Sequence, residues 1–146
     1  MTYQIVSKLT ENQIYDLLEL YKNEFWSNKR KHQDVVKMLA ESDIIIGLID
    51  ENEKLIGFTR ILTDFVYRAI IFDVIVKPTH RNIGLGSKLL DAIVNHPQLN
   101  SIEWFALCCL PEMIPYYERW GFTTELGDMR LMFRTKKLDK ENQNDN

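Results

Sequence analysis

The run Ala69–Val76 is apolar except for Asp73, and it leads through Pro78 into Arg81-Asn82-Ile83-Gly84-Leu85-Gly86. Leu85, Leu89, Leu90, Ile93 and Val94 then recur at helical spacing. This strand, glycine loop and helix constrain the fold more than any other feature. A β-branched apolar run fits a buried strand. Proline cannot donate to a sheet ladder, so Pro78 ends the strand. The apolar stripe must pack back onto the sheet, which requires a layered arrangement of helices on strands.

The remaining chain fits that frame. Ile5–Lys8 reads as a short first strand. Thr10 followed by Gln13 is a capping-box pattern, and Ile14, Leu17, Leu18 and Tyr21 continue it as a helix over 11–24. A second helix is expected over 31–42, with Val35, Val36, Leu39 and Ala40 on one face. Ile44–Ile49 and Leu55–Leu62 flank the polar turn Asp50–Lys54 and read as a hairpin. Ile102–Cys109 is expected as a strand, Pro111–Trp120 as a helix and Gly121 as its C-terminal cap. Two short strands over 122–125 and 129–135 complete the order βααβββαβαββ, a mixed α/β pattern. Residues 1–136 read as one domain and 137–146 as a polar, disordered tail, because Leu138 is the only apolar residue after Thr135.

Composition narrows the function classes. With 146 residues the chain suits one domain. Its 18 basic and 21 acidic residues give a net charge of −3, against the basic balance of a general nucleic-acid binder. The basic run Lys29-Arg30-Lys31-His32 reads as a solvated helix start. Apolar stretches such as Ile44–Ile49 fall far short of the ~20 residues of a membrane helix. The N-terminus lacks a charged-then-apolar signal layout. Cys108 and Cys109 are adjacent, a poor staple that suits a reducing cytoplasm, and they read as small core residues.

The glycine loop carries the chemistry. Glycine allows positive φ and close backbone approach. The first-turn N–H groups of the following helix, with its dipole, favour an anion there, and Arg81 would add a charged contact. A P-loop needs Gly-Lys followed by Ser or Thr, whereas the order here is Gly86-Ser87-Lys88. A dinucleotide fingerprint needs glycine where Leu89 stands. What remains is Arg-x-x-Gly-x-Gly after a strand ending Val76-Lys77-Pro78.

That pattern resembles the GNAT family of acyl-CoA-dependent N-acetyltransferases, over about residues 3–135. Tyr116-Tyr117-Glu118-Arg119-Trp120-Gly121-Phe122 is similar to the family's second motif, and Trp26 and Thr63-Asp64 are similar to features of its small stand-alone bacterial members. The resemblance implies a mostly antiparallel central sheet splayed between strands 4 and 5 and flanked by about four helices. It implies acetyl-CoA as cosubstrate and no metal. Val74, Ile75 and Val76 would pair with the pantetheine arm, and the pyrophosphate would sit on Arg81, Asn82, Ile83, Gly84, Leu85, Gly86 and Ser87. Asn82 stands where glycine or arginine is common, and asparagine tolerates left-handed backbone. Leu110 stands where the family often has an arm-holding asparagine. This departure supports a second reading, a CoA-binding sensor or interaction module with a degenerate acceptor site.

Two residues are candidates for catalysis. Tyr117, placed near the thiol by the resemblance, would protonate the departing CoA, since a tyrosine of pKa about 10 is protonated near neutrality. Asp73 would take or relay the amine's proton, because a desolvated carboxylate has a raised pKa. Period-two alternation puts it on the face of Ile71 and Ile75. Glu112 is its rival as base, and pairing with Arg60 or Arg68 is its structural alternative. Trp26 and Asp64 are candidates for acceptor contact, Asp64 alternatively as a turn residue. The expected partner is an amine, more readily a small molecule than a protein, with no nucleic acid or membrane, in a monomer or homodimer.

Overall fold

Thr10 and Gln13 close the expected reciprocal cap: Gln13 N–H donates to Thr10 Oγ1 at 3.2 Å and Thr10 N–H donates to Gln13 Oε1 at 3.0 Å. This starts α1, Glu11–Lys22, and α2 follows at His32–Glu41. The computed structural model describes residues 2–136. Its strands are β1 (Gln4–Val6), β2 (Ile44–Ile49), β3 (Leu55–Thr63), β4 (Arg68–Val76) and β5 (Trp104–Ala106), with α3 at Leu85–Val94 and α4 at Ile114–Glu118. They form one sheet in sequence order, β1-β2-β3-β4-β5. Neighbours are antiparallel up to β4, and β4–β5 is parallel.

The sheet separates two apolar clusters. Leu17, Leu20 and Tyr21 of α1 and Val35 of α2 pack with Phe58 and Ile75. Leu85, Leu89, Leu90 and Ile93 of α3, with Tyr117 of α4, pack with Ile46, Ile56, Ile61, Ala69 and Ile71. Helices on both faces bury the central strands, whose apolar runs lack strict alternation for that reason.

Two features of β4 shape the site. It pairs with β5 only through Arg68↔Trp104, Ala69↔Phe105 and Ile70↔Ala106. From Ile71 to Val76 the β5-facing edge has no strand partner among the described residues, and this is the splay. On its other side the register runs Phe58↔Ile75 and then Arg60↔Phe72, so Asp73 and Val74 together oppose Thr59. This is a β-bulge, and Asp73 takes φ 58°. The bulge reverses the alternation. Ile71 stays in the α3 cluster and Ile75 enters the α1/α2 cluster, so the two do not share a face as simple period-two counting had it.

The C-terminal third departs from expectation. β5 covers three residues rather than 102–109, because it pairs with only three residues of β4 and then diverges. Cys108 and Cys109 follow it, free and exposed rather than in the core. The expected helix 111–120 is a 3₁₀ turn, Pro111–Met113, followed by α4. Gly121 takes the left-handed φ of 86° expected of its cap. The strands expected at 122–125 and 129–135 do not form among the described residues. A period-two pattern needs a partner edge, and β5 offers a short one. Arg130 Nη1 instead donates to Gly127 O and Met129 O, both at 2.7 Å. The proposed tail 137–146 lies outside the described residues.

Candidate active site

Gly84 is the N-cap of α3, with φ 85°, and a Cβ there would meet nothing within 4 Å. Its requirement is therefore conformational. A glycine cap also has no side chain to occupy the first-turn N–H groups, and none is capped by a side chain here. Asn82 takes φ 65°, the left-handed conformation its side chain tolerates. Gly86 is needed for a different reason: a Cβ there would lie 2.6 Å from Tyr116 Oη. The glycine loop and the Tyr116-Tyr117 segment, far apart in sequence, thus meet at the start of α3. Leu85 anchors the turn in the core at 5% exposure, and Ile83 is exposed.

Arg81 is engaged within the protein. Its Nε donates to Val76 O at 3.1 Å and its Nη2 to Glu24 Oε1 at 2.8 Å. It ties the glycine loop to the last strand position and to the chain just after α1.

Tyr117 is buried against Tyr116 and Phe122. Burial, with smaller contributions from Tyr116 and Cys109, pushes its hydroxyl up to about 12. No hydrogen bond engages that hydroxyl among the described residues. It is not sealed in either, since the one buried side-chain N or O without a partner among them is His32 Nε2.

Asp73 lies at the bulge with a 5% exposed side chain. Its Oδ2 accepts from Arg60 Nε and Arg30 Nη1, both at 2.8 Å, and from Tyr21 Oη at 2.9 Å. Its Oδ1 accepts from Arg30 Nη2 at 3.4 Å. Burial alone would push the carboxyl up, but the hydrogen bonds and charges of Arg30 and Arg60 outweigh it and hold the group below the usual carboxylate range. The raised pKa expected from burial in an apolar strand is thereby corrected. Tyr21 is pushed upward, by burial first and by the Asp73 charge next. The Arg30 guanidinium sits 4.6 Å over the Tyr21 ring and 5.4 Å from the Trp26 ring.

The structure brings Trp26 and Asp73 together and leaves Asp64 apart. Asp64 Oδ1 accepts from Val66, Tyr67 and Arg68 N–H, and these bonds hold its carboxyl low. It caps the β3–β4 turn at the closed end of the β4–β5 pair. At about 3.3 Å per residue, that is roughly 25 Å along β4 from Val76. Its candidacy for acceptor contact gives way to the turn role. Arg68 pairs with Glu103 rather than Asp73, and Glu112 is exposed in the 3₁₀ turn.

Arg30 and Tyr21 escaped the sequence reading. Arg30 lay hidden in a basic run and Tyr21 in an apolar helical stripe. The available signal was Asp73 itself, since a carboxylate buried in a strand demands cations.

The model of the acetyltransferase (GNAT) family matches residues 11–122. The chain belongs to the GNAT family of acetyltransferases. It is 31% identical over 123 residues to an N-acetyltransferase of Pyropia yezoensis named ycf52, itself uncharacterized, covering 82% of this chain and 70% of the relative. A crystal structure from Xanthomonas campestris pv. campestris, described as belonging to the GNAT family, superposes with TM-score 0.81 at 25% identity, covering 92% and 94% of the two chains. A structure from Deinococcus radiodurans R1 shares the fold, with TM-score 0.74 at 24% identity over 92% and 88%. The chain is accordingly an acetyltransferase enzyme, and no helix among its described residues is long and apolar enough to cross a membrane.

Proposed function

We propose that this GNAT enzyme transfers an acetyl group from acetyl-CoA to a primary amine by direct attack at the split between β4 and β5. The observation that carries this reading is the junction itself: a β4 edge without a strand partner among the described residues leads to a helix N-terminus with no side-chain cap, whose N-cap is a left-handed glycine. The residues fit a CoA group. Arg81 N–H donates to Pro78 O at 3.5 Å, which leaves the amides from Asn82 to Ser87 for a pyrophosphate, and the β4 edge at Val74, Ile75 and Val76 suits an extended arm that hydrogen-bonds like a strand.

Tyr117 is the group for the leaving thiolate. A hydroxyl raised to about 12 is a weaker acid than an ordinary thiol, so full proton transfer from it to the thiolate runs uphill. Its role is therefore a hydrogen bond that stabilises the developing thiolate, with water finishing the protonation. Asp73, held ionised by two guanidiniums, is a weak base and serves to position Arg30 and Arg60. The amine then loses its proton to water, directly or through a chain.

Calorimetry on acetyl-CoA binding and thiol release with an amine panel test the reading together. Binding that is abolished in Gly84→Val, with amine-dependent thiol release in the wild type, supports it. Binding with no turnover on any amine favours the sensor reading that Leu110 raises.

A further inference from the structure

Arg60 is mostly buried, with 14% of its side chain exposed, yet only its Nε makes a hydrogen bond among the described residues. Its two terminal nitrogens, a fork of four N–H donors, meet no protein acceptor there. They are not sealed off, because His32 Nε2 is the one buried side-chain N or O without a partner among those residues. They have a place to point. A cavity of about 220 Å³ is lined by Arg30, Asp34, Val35, Met38 and Arg60. The guanidinium is held from behind by Asp73 and lies 4.8 Å over the Phe72 ring.

Charge and shape select the occupant. Two guanidiniums share one buried carboxylate, which leaves one positive charge uncompensated inside. The exposed Asp34 places a negative charge at the rim. A cavity carrying both signs suits a zwitterion, whereas a plain polyamine would be repelled by the arginines. A rigid planar fork matches a carboxylate in bidentate fashion. The volume lies below the usual ~300–1,000 Å³ of ligand sites, so it takes an amino-acid-sized group and not a folded chain. Arg60 of β3 is bonded to Asp73, in the stretch of β4 beyond its β5 pairing, which ties the cavity, on the α1/α2 side, to the strand that borders the split.

We infer that Arg60, positioned by Asp73, binds the carboxylate of the acceptor, and that the acceptor is a small amine carrying its own carboxylate, of the amino-acid class. This rests on the acetyl-transfer reading above. The test pairs each common amino acid with its decarboxylated amine, such as phenylalanine with phenethylamine. Thiol release is followed with acetyl-CoA, and binding is followed separately by calorimetry. A charge-assisted bidentate contact predicts that the best pair favours the amino acid by roughly 10–100-fold in kcat/KM. Arg60→Gln should bring the ratio near unity, mainly through KM, with Arg60→Lys between. The wild-type ratio needs no variant, so the test survives if Arg60→Gln fails to fold. Equal or better turnover of the decarboxylated amines overturns the inference and leaves the transferase reading intact. If acetyl-CoA binds but no amine is acetylated, the transferase reading fails. Calorimetry then decides the cavity: amino-acid binding lost in Arg60→Gln upholds the carboxylate site, and no amino-acid binding shows a cavity filled by water alone.

Discussion

Replacing Asp73 by asparagine separates a positioning role from a proton-accepting one. The side chain is 5% exposed and accepts from two guanidiniums and a phenol. Removing one partner of a fully buried pair costs about 3–5 kcal/mol. Here Arg30 is 30% exposed and can recover solvent, and the amide still accepts one bond. We therefore expect about 2–4 kcal/mol at pH 7, below the fully buried range. At about 2–4 °C per kcal/mol for a domain of this size, Tm falls by roughly 5–15 °C. The sign with pH follows from the lowered carboxyl. The carboxylate's contribution is complete above the unfolded value of about 3.9 and is lost as pH falls through the lower folded value. The Tm gap between wild type and variant should thus be flat from about pH 6 to 9 and close below about pH 4. Activity per folded molecule should keep its pH profile, while the acceptor KM rises because Arg60 loses its anchor. Thermal scans and a pH–rate curve on the same preparation check this. No Tm gap at pH 7, or activity lost at neutral pH and regained at high pH, would refute the reasoning and return Asp73 to the base role.

Gly84→Val should lose acetyl-CoA affinity more than tenfold, since a β-branched residue at positive φ costs on the order of 1–2 kcal/mol and remodels the helix start; titration calorimetry reads it, and undiminished affinity would sink the cradle. Tyr117→Phe should lower kcat by about 10–10²-fold with acetyl-CoA affinity nearly unchanged, as for loss of a transition-state hydrogen bond; equal kcat with chemistry rate-limiting would leave Tyr117 as a core aromatic. Because Tyr117 is raised to about 12 from 10.0, its stabilising effect is full below about pH 10 and is lost as pH rises toward 12, and kcat/KM should show no Tyr117-dependent basic limb below about pH 10. A limb near pH 8–9 that disappears in the phenylalanine variant contradicts this.

Much of the fold was legible because local and global signals agree at particular residues. The Thr10–Gln13 cap, the run Ile44–Ile49 and the stop at Pro78 place elements where the structure has them. The glycine loop was legible because Gly84 and Asn82 report backbone conformation directly. What escaped depends on tertiary partners. The bulge at Asp73 cannot be counted from alternation, since it is set by the register against Thr59. The length of β5 depends on where it leaves β4, and the pattern Met129, Leu131, Phe133 promises a strand that finds no pairing strand among the described residues. Arg30 lies 43 residues from Asp73, and no sequence period links them.

The central claim is acetyl transfer by direct attack within one site, and intact-protein mass measured beside product formation tests it most directly. Incubated with acetyl-CoA alone, the protein should keep its mass, with Cys108 and Cys109 unacetylated although both are free and exposed. On addition of an accepted amine, free CoA and N-acetylated amine should appear in equal amounts. Protein that gains the mass of one acetyl group without amine, and passes it on when amine arrives, would contradict the account.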